Sequence, residues 1–201
     1  MTLDDEMAAH LDAIQNTVTS SSEVIEKIAA ELAGCFEHGG KLMVCGNGGS
    51  AADAQHFAAE FVNHLRFDRP ALPAIALSTD TSVLTAVAND RRYEDVFARQ
   101  VEALGAPGDV LIGLSTSGAS ENVLAALNTA RRRGLVTIGF TGEGGVDRMT
   151  KACDLILTAA SRDTARIQEC HEFAYHVIAG MVEEALYGDL TSEKIEEARS
   201  H

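Results

Sequence analysis

The sequence predicts an α/β protein with three layers, in which a five-stranded parallel sheet of the doubly wound, flavodoxin-like type lies between helices. Two observations lead to this prediction. Short continuous apolar runs alternate with helical segments, and two of these runs lead directly into loops of small residues. Continuous apolar runs are typical of parallel strands that are buried on both faces. The 201 residues are enough for one sizeable core, so we expect a single domain.

Before the sheet, residues 3–37 carry apolar side chains every three to four positions, which predicts N-terminal helices. We expect a break at Thr19–Ser22, where hydroxyl side chains can cap a second helix, and an end at Gly39-Gly40. The apolar stripes of these helices need a partner. This partner is either the last helix of the chain or another subunit, and we expect a homo-oligomer.

The sheet and its covering helices are predicted over residues 41–188. The predicted strands are short apolar runs at 41–45, 74–77, 109–114, 136–140 and 155–157. The predicted helices of this region are 51–65, 78–88, 93–104, 121–133 and 166–187. The polar tail 189–201 is expected to fray or to form a short peripheral helix.

Composition and charge argue against several classes of protein. The sequence has no apolar run long enough to cross a bilayer, and its acidic start differs from a secretory or transit peptide. We therefore expect a cytoplasmic protein with no membrane partner. A net charge of −14 at pH 7 argues against a nucleic-acid partner, which normally meets a basic surface. The four cysteines form no Cys-x-x-Cys pair, and we expect reduced thiols.

Two loops of small residues each follow a predicted strand and precede a predicted helix. The first is Gly46-Asn47-Gly48-Gly49-Ser50, and the second is Ser115-Thr116-Ser117-Gly118-Ala119-Ser120. Glycine lets the main chain approach a ligand, while hydroxyls and helix-start amides suit an oxyanion such as phosphate. Because both loops lie at the carboxyl ends of parallel strands, we expect a phosphorylated small molecule between them. A plain tight turn is the alternative for the first loop, which lacks a dinucleotide or P-loop fingerprint.

Two predicted helices carry side chains suited to metal binding or acid–base chemistry. His56 and Glu60 are four residues apart, so they share one face of the helix after the first loop. Gln168, Glu172 and His176 form a similar stripe on the final helix. A histidine and a carboxylate at this spacing can bind a metal or share proton transfer. Taken alone, the His56–Glu60 pair is more often a surface ion pair or a satisfied histidine, and the stripe on the final helix can be a solvated face.

Three stretches together resemble the sugar isomerase (SIS) domain superfamily and, within it, the phosphoheptose isomerases. They are the two small-residue loops and Arg166-Ile167-Gln168-Glu169. Further agreement covers Asp53-Ala54-Gln55-His56-Phe57, Asp68-Arg69-Pro70, Asn89-Asp90 and Asp163-Thr164, so the resemblance spans roughly residues 20–188. It implies one SIS domain over residues 1–201. It also implies conversion of sedoheptulose 7-phosphate to glycero-manno-heptose 7-phosphate, the first step toward ADP-heptose for lipopolysaccharide or surface glycans.

The resemblance further implies a homotetramer with active sites between subunits and one zinc ion per subunit. The implied metal ligands are His56, Glu60, Gln168 and His176. Glu60 is the implied base that takes a proton from carbon 1 of the ketose, and His176 is the implied acid at the carbonyl oxygen. The implied substrate-binding residues are Asn47, Gly48, Gly49, Ser50, Asp90, Ser115, Thr116, Ser117, Ser120, Asp163 and Gln168.

Two other functions stay open at this point. A DiaA-like tetramer that binds the replication initiator shares the first loop and the Thr164–Glu169 stretch, although the four implied metal ligands favour an enzyme. Another sugar-phosphate isomerase or a sugar-phosphate sensor would share the phosphate loop. The chain also departs from the family pattern at one position. Some members carry arginine four residues after the base, where this chain has His64, with Arg66 close by.

Overall fold

The computed structural model describes residues 2–188 and contains a parallel sheet of five strands in the order β2-β1-β3-β4-β5. The strands are β1 (Leu42–Gly46), β2 (Ala74–Ala76), β3 (Val110–Leu114), β4 (Val136–Gly142) and β5 (Leu155–Ala159). This strand order is the doubly wound, flavodoxin-like order. The fold class predicted from the sequence is therefore confirmed. The predicted tail 189–201 lies outside the described residues.

Helices cover both faces of the sheet. In the described part of the chain they are α1 (Leu3–Glu37), α2 (Gly49–Val62), α3 (Thr81–Asp90), α4 (Ala98–Leu104), α5 (Glu121–Arg132), α6 (Val146–Met149) and α7 (Thr164–Tyr187). Helices α1, α2 and α7 pack on one face, and the other helices pack on the opposite face. Over residues 2–188, none of these helices combines the length and the apolarity that a membrane span needs.

Alternation of side chains along β1 explains why the strands are continuous apolar runs. Leu42 and Val44 belong to the core under α1, α2 and α7, whereas Met43 and Cys45 belong to the core on the other face. Successive side chains of a strand point to opposite faces of the sheet. Because both faces are covered by helices, every position of β1 is buried.

The predicted break in the N-terminal helices is wrong, because α1 is one continuous helix of 35 residues. The hydroxyls of Thr19 and Ser20 donate to main-chain carbonyls one turn earlier, at 2.8 and 2.9 Å. Ser21 faces inward and donates to the carbonyl of Thr158 on β5 at 3.2 Å. The hydroxyl side chains are thus satisfied inside a helix and do not start a new one.

Most other predicted boundaries are within three residues of the observed ones. The exception is the segment predicted as a helix over 93–104. Its first residues form a short 3-10 turn, Tyr93–Asp95, and α4 begins only at Ala98. A second such turn, Glu143–Gly145, and the short helix α6 were not predicted. Both lie in the connection between β4 and β5.

A buried ion pair fastens the end of α2 to α7. Arg69 and Glu183 have side chains that are 1% and 0% exposed, and Arg69 Nε donates to Glu183 Oε1 over 3.1 Å. The same carboxylate accepts hydrogen bonds from the main-chain amides of Leu65 and Arg66, at 2.8 and 3.0 Å. Arg69 Nη2 donates to the carbonyl of Glu60 at 2.8 Å. The chain that leaves α2 is therefore held by charge-assisted hydrogen bonds.

We predict that Glu183→Gln lowers the free energy of unfolding by about 3 kcal/mol or more, because it leaves the Arg69 charge buried without its counter-charge. Urea denaturation at pH 7 measures the change. Glu184→Gln is the matched control, since Glu184 is the next residue of α7 and is exposed. The control should change the value by less than about 0.5 kcal/mol. Equal stabilities of the two variants would contradict the structural role of the pair.

Candidate active site

The two small-residue loops lie side by side because of the strand order. β1 and β3 are parallel neighbours, and their last residues, Gly46 and Leu114, are partners in the register. The chain continues from β1 to β2 on one side of this pair, and from β3 to β4 on the other. Ligands in doubly wound sheets bind in the crevice that forms where the strand order reverses. Both loops begin at this crevice.

The first loop is shaped by glycines that lead into α2. Gly48 precedes α2 with a φ of +56°, a conformation that favours glycine. Gly49 opens the helix, and a Cβ atom there would lie 2.5 Å from Gln168 Nε2. Glycine therefore allows the Gln168 amide of α7 to lie against the first turn of α2. Ser50 is buried beneath this turn.

The second loop contains a hydroxyl pair that orients one serine toward solvent. Ser115 is 3% exposed, and its hydroxyl donates to Ser120 Oγ over 2.9 Å while it accepts from the Ser120 amide at 3.4 Å. The Ser115 hydroxyl is thus used internally, and the proton of the Ser120 hydroxyl remains for another acceptor. Gly118 has a φ of +63°, and a Cβ there would collide with the main chain of Gly145.

The remaining groups of the second loop can receive an oxyanion. Thr116 is held by its carbonyl, which accepts from the amide of Gly142 at 3.1 Å. Ser117 is exposed, and its hydroxyl accepts from the Ala119 amide at 3.2 Å. Ser120 precedes α5 and makes no side-chain capping bond to it. The first amides of a helix have no intrahelical acceptor, so those of Glu121 and Asn122, together with the hydroxyls, form a surface that suits an anion.

The predicted stripes of α2 and α7 meet where these two helices pack together. His56 Nε2 lies 2.9 Å from Glu60 Oε1 and 3.3 Å from His176 Nε2. One potential ligand atom from each of the three residues lies within 4.8 Å of the others. Two imidazole nitrogens and one carboxylate oxygen are donors that zinc prefers. The cluster is therefore a candidate metal centre.

Two further residues of α7 extend the cluster. Glu172 Oε1 lies 3.7 Å from His56 Nδ1, on the side of the imidazole away from Glu60. Gln168 lies two turns before His176 on α7, and its amide lies at the start of α2, against Gly49. The two helices thus bring His56, Glu60 and His176 together, whereas the Gln168 amide lies two turns before His56 along α2.

Asp90 and Asp163, both predicted near the sugar hydroxyls, make local contacts. Asp90 is the exposed last residue of α3 and accepts from the side chain of Asn89 at 2.8 Å. Asp163 caps α7, where its carboxylate accepts from the amides of Ala165 and Arg166 at 2.8 and 3.4 Å. These contacts join neither aspartate to the histidine cluster, so their proposed role stays a prediction.

Comparison with known proteins identifies the same family that the sequence motifs resemble. A family model of the SIS domain matches residues 5–142. The chain is 53% identical over 183 residues to the phosphoheptose isomerase of Roseiflexus sp. (strain RS-1), with 91% of this chain and 92% of that relative covered. The chain belongs to the phosphoheptose isomerase family.

Solved structures of phosphoheptose isomerases share this fold. The structure of phosphoheptose isomerase GmhA from Neisseria gonorrhoeae has a TM-score of 0.83 and 40% identity, and the match covers 91% of this chain and 100% of that one. The structure of a phosphoheptose isomerase from Francisella tularensis has a TM-score of 0.82 and 35% identity, with 92% and 100% covered. These values confirm the family resemblance stated from the sequence.

At the position where some phosphoheptose isomerases carry arginine, His64 lies just beyond the end of α2. The nearby Arg66 lies against α7. Its guanidinium packs on α7 at Gly180, one turn beyond His176, where a Cβ atom would lie 2.9 Å from Arg66 Nε. The contact holds the chain after α2 against α7.

Tyr175 supports the cluster and was missed from the sequence. Its hydroxyl lies 2.9 Å from His56 Nδ1, and the residue is fully buried. Burial, and then the charges of Glu172, Asp53 and Glu60, raise the pKa of the Tyr175 phenol above its ordinary value. The phenol therefore keeps its proton at neutral pH. Sequence spacing shows Tyr175 only as a core position, because its contact with His56 depends on how α2 and α7 pack.

Asp53 carries an unpaired carboxylate oxygen beside the cluster. Its Oδ2 is buried and has no hydrogen-bond partner among residues 2–188. Burial raises the pKa of Asp53 to about 6, with a further increase from the charge of Glu172 and an opposing effect of His56. A carboxyl group with this pKa exchanges its proton near neutral pH.

His171 connects α7 to β4, the strand beside the second loop. The imidazole is fully buried, and its Nε2 lies 3.3 Å from the carbonyl of Thr141 on β4. Its Nδ1 has no hydrogen-bond partner within the described part of the chain. Burial lowers the pKa of His171 to about 4, so the imidazole is neutral at pH 7.

We predict that His171 makes the protein less stable as the pH falls from about 6.5 to about 4. In this range the unfolded chain binds a proton that the folded protein excludes, because the folded pKa is about 4 and the unfolded value is about 6.5. Between pH 7 and pH 5, wild type should lose about 2 kcal/mol more than His171→Gln, whose side chain does not titrate. Urea unfolding at both pH values measures this difference. Equal losses would contradict a neutral, buried His171.

Proposed function

We propose that this protein is an aldose–ketose isomerase that converts D-sedoheptulose 7-phosphate to D-glycero-D-manno-heptose 7-phosphate through an enediolate. One observation carries the proposal: α2 and α7 bring together a His–Glu–His cluster, in a chain that has a hydroxyl-lined loop before α5 and is 53% identical to a phosphoheptose isomerase. The reaction would be the first step of heptose biosynthesis for lipopolysaccharide or surface glycans.

The phosphate would bind at the second loop. Thr116, Ser117 and Ser120 offer hydroxyls beside the first amides of α5, and Ser115 would orient Ser120. The first loop, Gly46–Ser50, would line the sugar with Asn47, Gly48, Gly49 and Ser50. Asp90, Asp163 and Gln168 would bind sugar hydroxyls. Binding of the distant phosphate would orient the carbons that react.

Glu60 would move the proton between carbon 1 and carbon 2. It would take a proton from carbon 1 of the ketose, and the electron pair would pass to the carbon 2 carbonyl as an enediolate forms. His176 would serve as the acid that protonates the carbon 2 oxygen and assists ring opening. It would then take the proton of the carbon 1 hydroxyl as the carbon 1 carbonyl forms, and return of the first proton to carbon 2 gives the aldose. The Glu60 side chain is 13% exposed, so the proton transfer would be largely shielded from water.

The donors of the cluster fit one zinc ion per subunit. His56, Glu60 and His176 supply three donors, and Gln168 is the proposed fourth. A zinc ion at this site would act as a Lewis acid that polarises the substrate carbonyl. The Tyr175 hydroxyl would accept the Nδ1 proton of His56, which leaves the Nε2 lone pair on the Glu60 side. Glu60 Oε2 would then remain for the substrate proton.

We further propose a cytoplasmic homotetramer with active sites at subunit interfaces. The first half of α1 leaves Leu3, Met7 and Leu11 exposed by 81%, 55% and 58%. An apolar stripe of this kind favours contact with another subunit. Light scattering tests the tetramer, whose mass would be four times the 21.3 kDa of one chain.

The two alternative functions are not favoured. A DiaA-like binding protein would not need the His–Glu–His cluster, and a sensor would not need a base. The relatives compared above are phosphoheptose isomerases, and the alignment with the Roseiflexus enzyme covers nine tenths of both chains.

We predict that the wild-type protein converts sedoheptulose 7-phosphate to the aldose, and NMR measures the aldose formed. Glu60→Gln should lower kcat by about 10²–10⁴-fold. The amide cannot accept the proton. The inhibition constant of inorganic phosphate for Glu60→Gln should stay within about threefold of the wild-type value, because the second loop is unchanged. Glu102→Gln is the matched control, since this exposed carboxylate pairs with Arg99 on α4, on the opposite face of the sheet. Near-normal turnover by Glu60→Gln would refute the assigned base.

We also predict that the purified protein, supplied with zinc and then dialysed, retains about one zinc ion per chain by elemental analysis. His56→Ala should retain little zinc, because the imidazole lies between the other two donors. His38→Ala is the control, since His38 is exposed at the end of α1 and should leave the zinc content unchanged. Equal zinc contents in wild type and His56→Ala would place the metal elsewhere.

A further inference from the structure

Two asparagine side chains join the two loop regions through a reciprocal amide pair. Asn47 Nδ2 donates to Asn122 Oδ1 over 2.8 Å, and Asn122 Nδ2 donates to Asn47 Oδ1 over 2.8 Å. The two residues are 75 positions apart in sequence. Asn122 is only 3% exposed, so its amide depends on these protein partners and not on water.

The pair is part of a larger hydrogen-bond network. Asn122 Oδ1 also accepts from the amide of Val123 at 3.0 Å, in the first turn of α5. Asn47 Oδ1 also accepts from the hydroxyl of Tyr93 at 3.1 Å. An amide oxygen accepts two hydrogen bonds, and an amide nitrogen donates two. The oxygen of Asn47 is therefore fully used, and one N–H bond of its side chain is left for a ligand.

The Asn47–Asn122 pair connects the first loop to the residues that follow the second loop. Asn47 lies next to Gly48 in the first loop, and Asn122 lies two residues after Ser120 of the second loop. We propose that Asn122 is a positioning residue that sets the spacing between the sugar-binding and phosphate-binding loops. It also fixes Asn47 so that Asn47 donates a single hydrogen bond to the sugar. This inference rests on the proposed function of the site.

The spacing matters because the phosphate and the reacting carbons lie at opposite ends of the substrate. In the proposed function the phosphate would bind at the start of α5, whereas Glu60 is carried by α2, which begins two residues after Asn47. A change in spacing moves carbons 1 and 2 relative to Glu60, and a misplacement of about 1 Å can cost about 10²-fold in rate. Inorganic phosphate contacts only the second loop. Its affinity should therefore not depend on the spacing.

The test compares these two ligands in Asn122→Ala. We expect kcat/KM for sedoheptulose 7-phosphate to fall at least about tenfold, while the inhibition constant of inorganic phosphate stays within about twofold. Asn128→Ala is the matched control, because Asn128 is an exposed asparagine of α5 whose side chain donates to the Leu124 carbonyl at 2.9 Å within its own helix. The control should change neither value.

A purely structural role would give a different result. Partial unfolding would lower kcat through the fraction of active protein and leave KM unchanged, whereas loss of spacing raises KM as well. A parallel loss of phosphate affinity, or no change in the values for either ligand, would overturn the proposal.

Tyr93→Phe removes one hydrogen bond of the network at a residue that is 59% exposed, so it tests the proposal even if Asn122→Ala does not fold. It should lower kcat/KM by about two- to fivefold without changing phosphate inhibition, and an unchanged kcat/KM would then overturn the proposal.

Failure of the proposed function gives a separate signal. A wild-type protein without turnover would contradict the isomerase and not the positioning role. In that case calorimetric affinities for sedoheptulose 7-phosphate and inorganic phosphate replace the kinetic values. Loss of affinity for the sugar phosphate alone in Asn122→Ala would still support the positioning role, and parallel or absent losses would overturn it.

Discussion

The reversal of strand order between β1 and β3 is the constraint on which the site depends. Because these neighbours lead their chains in opposite directions, the ends of both strands are left open at one edge, with Gly46 beside Leu114. One loop shapes the start of α2, and the other forms the start of α5. Packing of α7 beside α2 then brings His176 to His56. Each part of the site follows from this arrangement of the sheet.

The proposed site would bind an anion in a protein with a net charge of −14. Neither Gly46–Ser50 nor Ser115–Ser120 contains a lysine or an arginine. Hydroxyl groups and helix-start amides would therefore supply the attraction, through dipoles whose directions are fixed by the fold. Such dipoles orient a phosphate closely, because their positions depend on the strand ends and not on flexible cationic side chains. The carboxylate proposed for proton transfer, Glu60, would then have no lysine or arginine of these two loops to pair with.

Local patterns predicted the sheet and the two ligand stripes, because strand burial and helical spacing depend on neighbouring residues. The predicted break at Thr19–Ser22 failed because its hydroxyls bond to carbonyls of the helix and of β5, which local propensity does not reveal. Asn122 and Tyr175 were not found, since each gains its role from a residue on another element. Their identities alone fit an ordinary helix surface or core. Tertiary contacts therefore supply the part of the site that the sequence could not predict.

The buried pair of Arg69 and Glu183 couples unfolding of the α2–α7 contact to loss of the histidine cluster. It lies on the same two-helix contact as the histidine cluster, with Glu183 two turns after His176 on α7. Separation of α2 from α7 would part Arg69 from Glu183 and, at the same time, His56 from His176. The sheet could remain paired during such an opening. The ion pair and the histidine cluster should therefore be lost together when the α2–α7 contact unfolds locally.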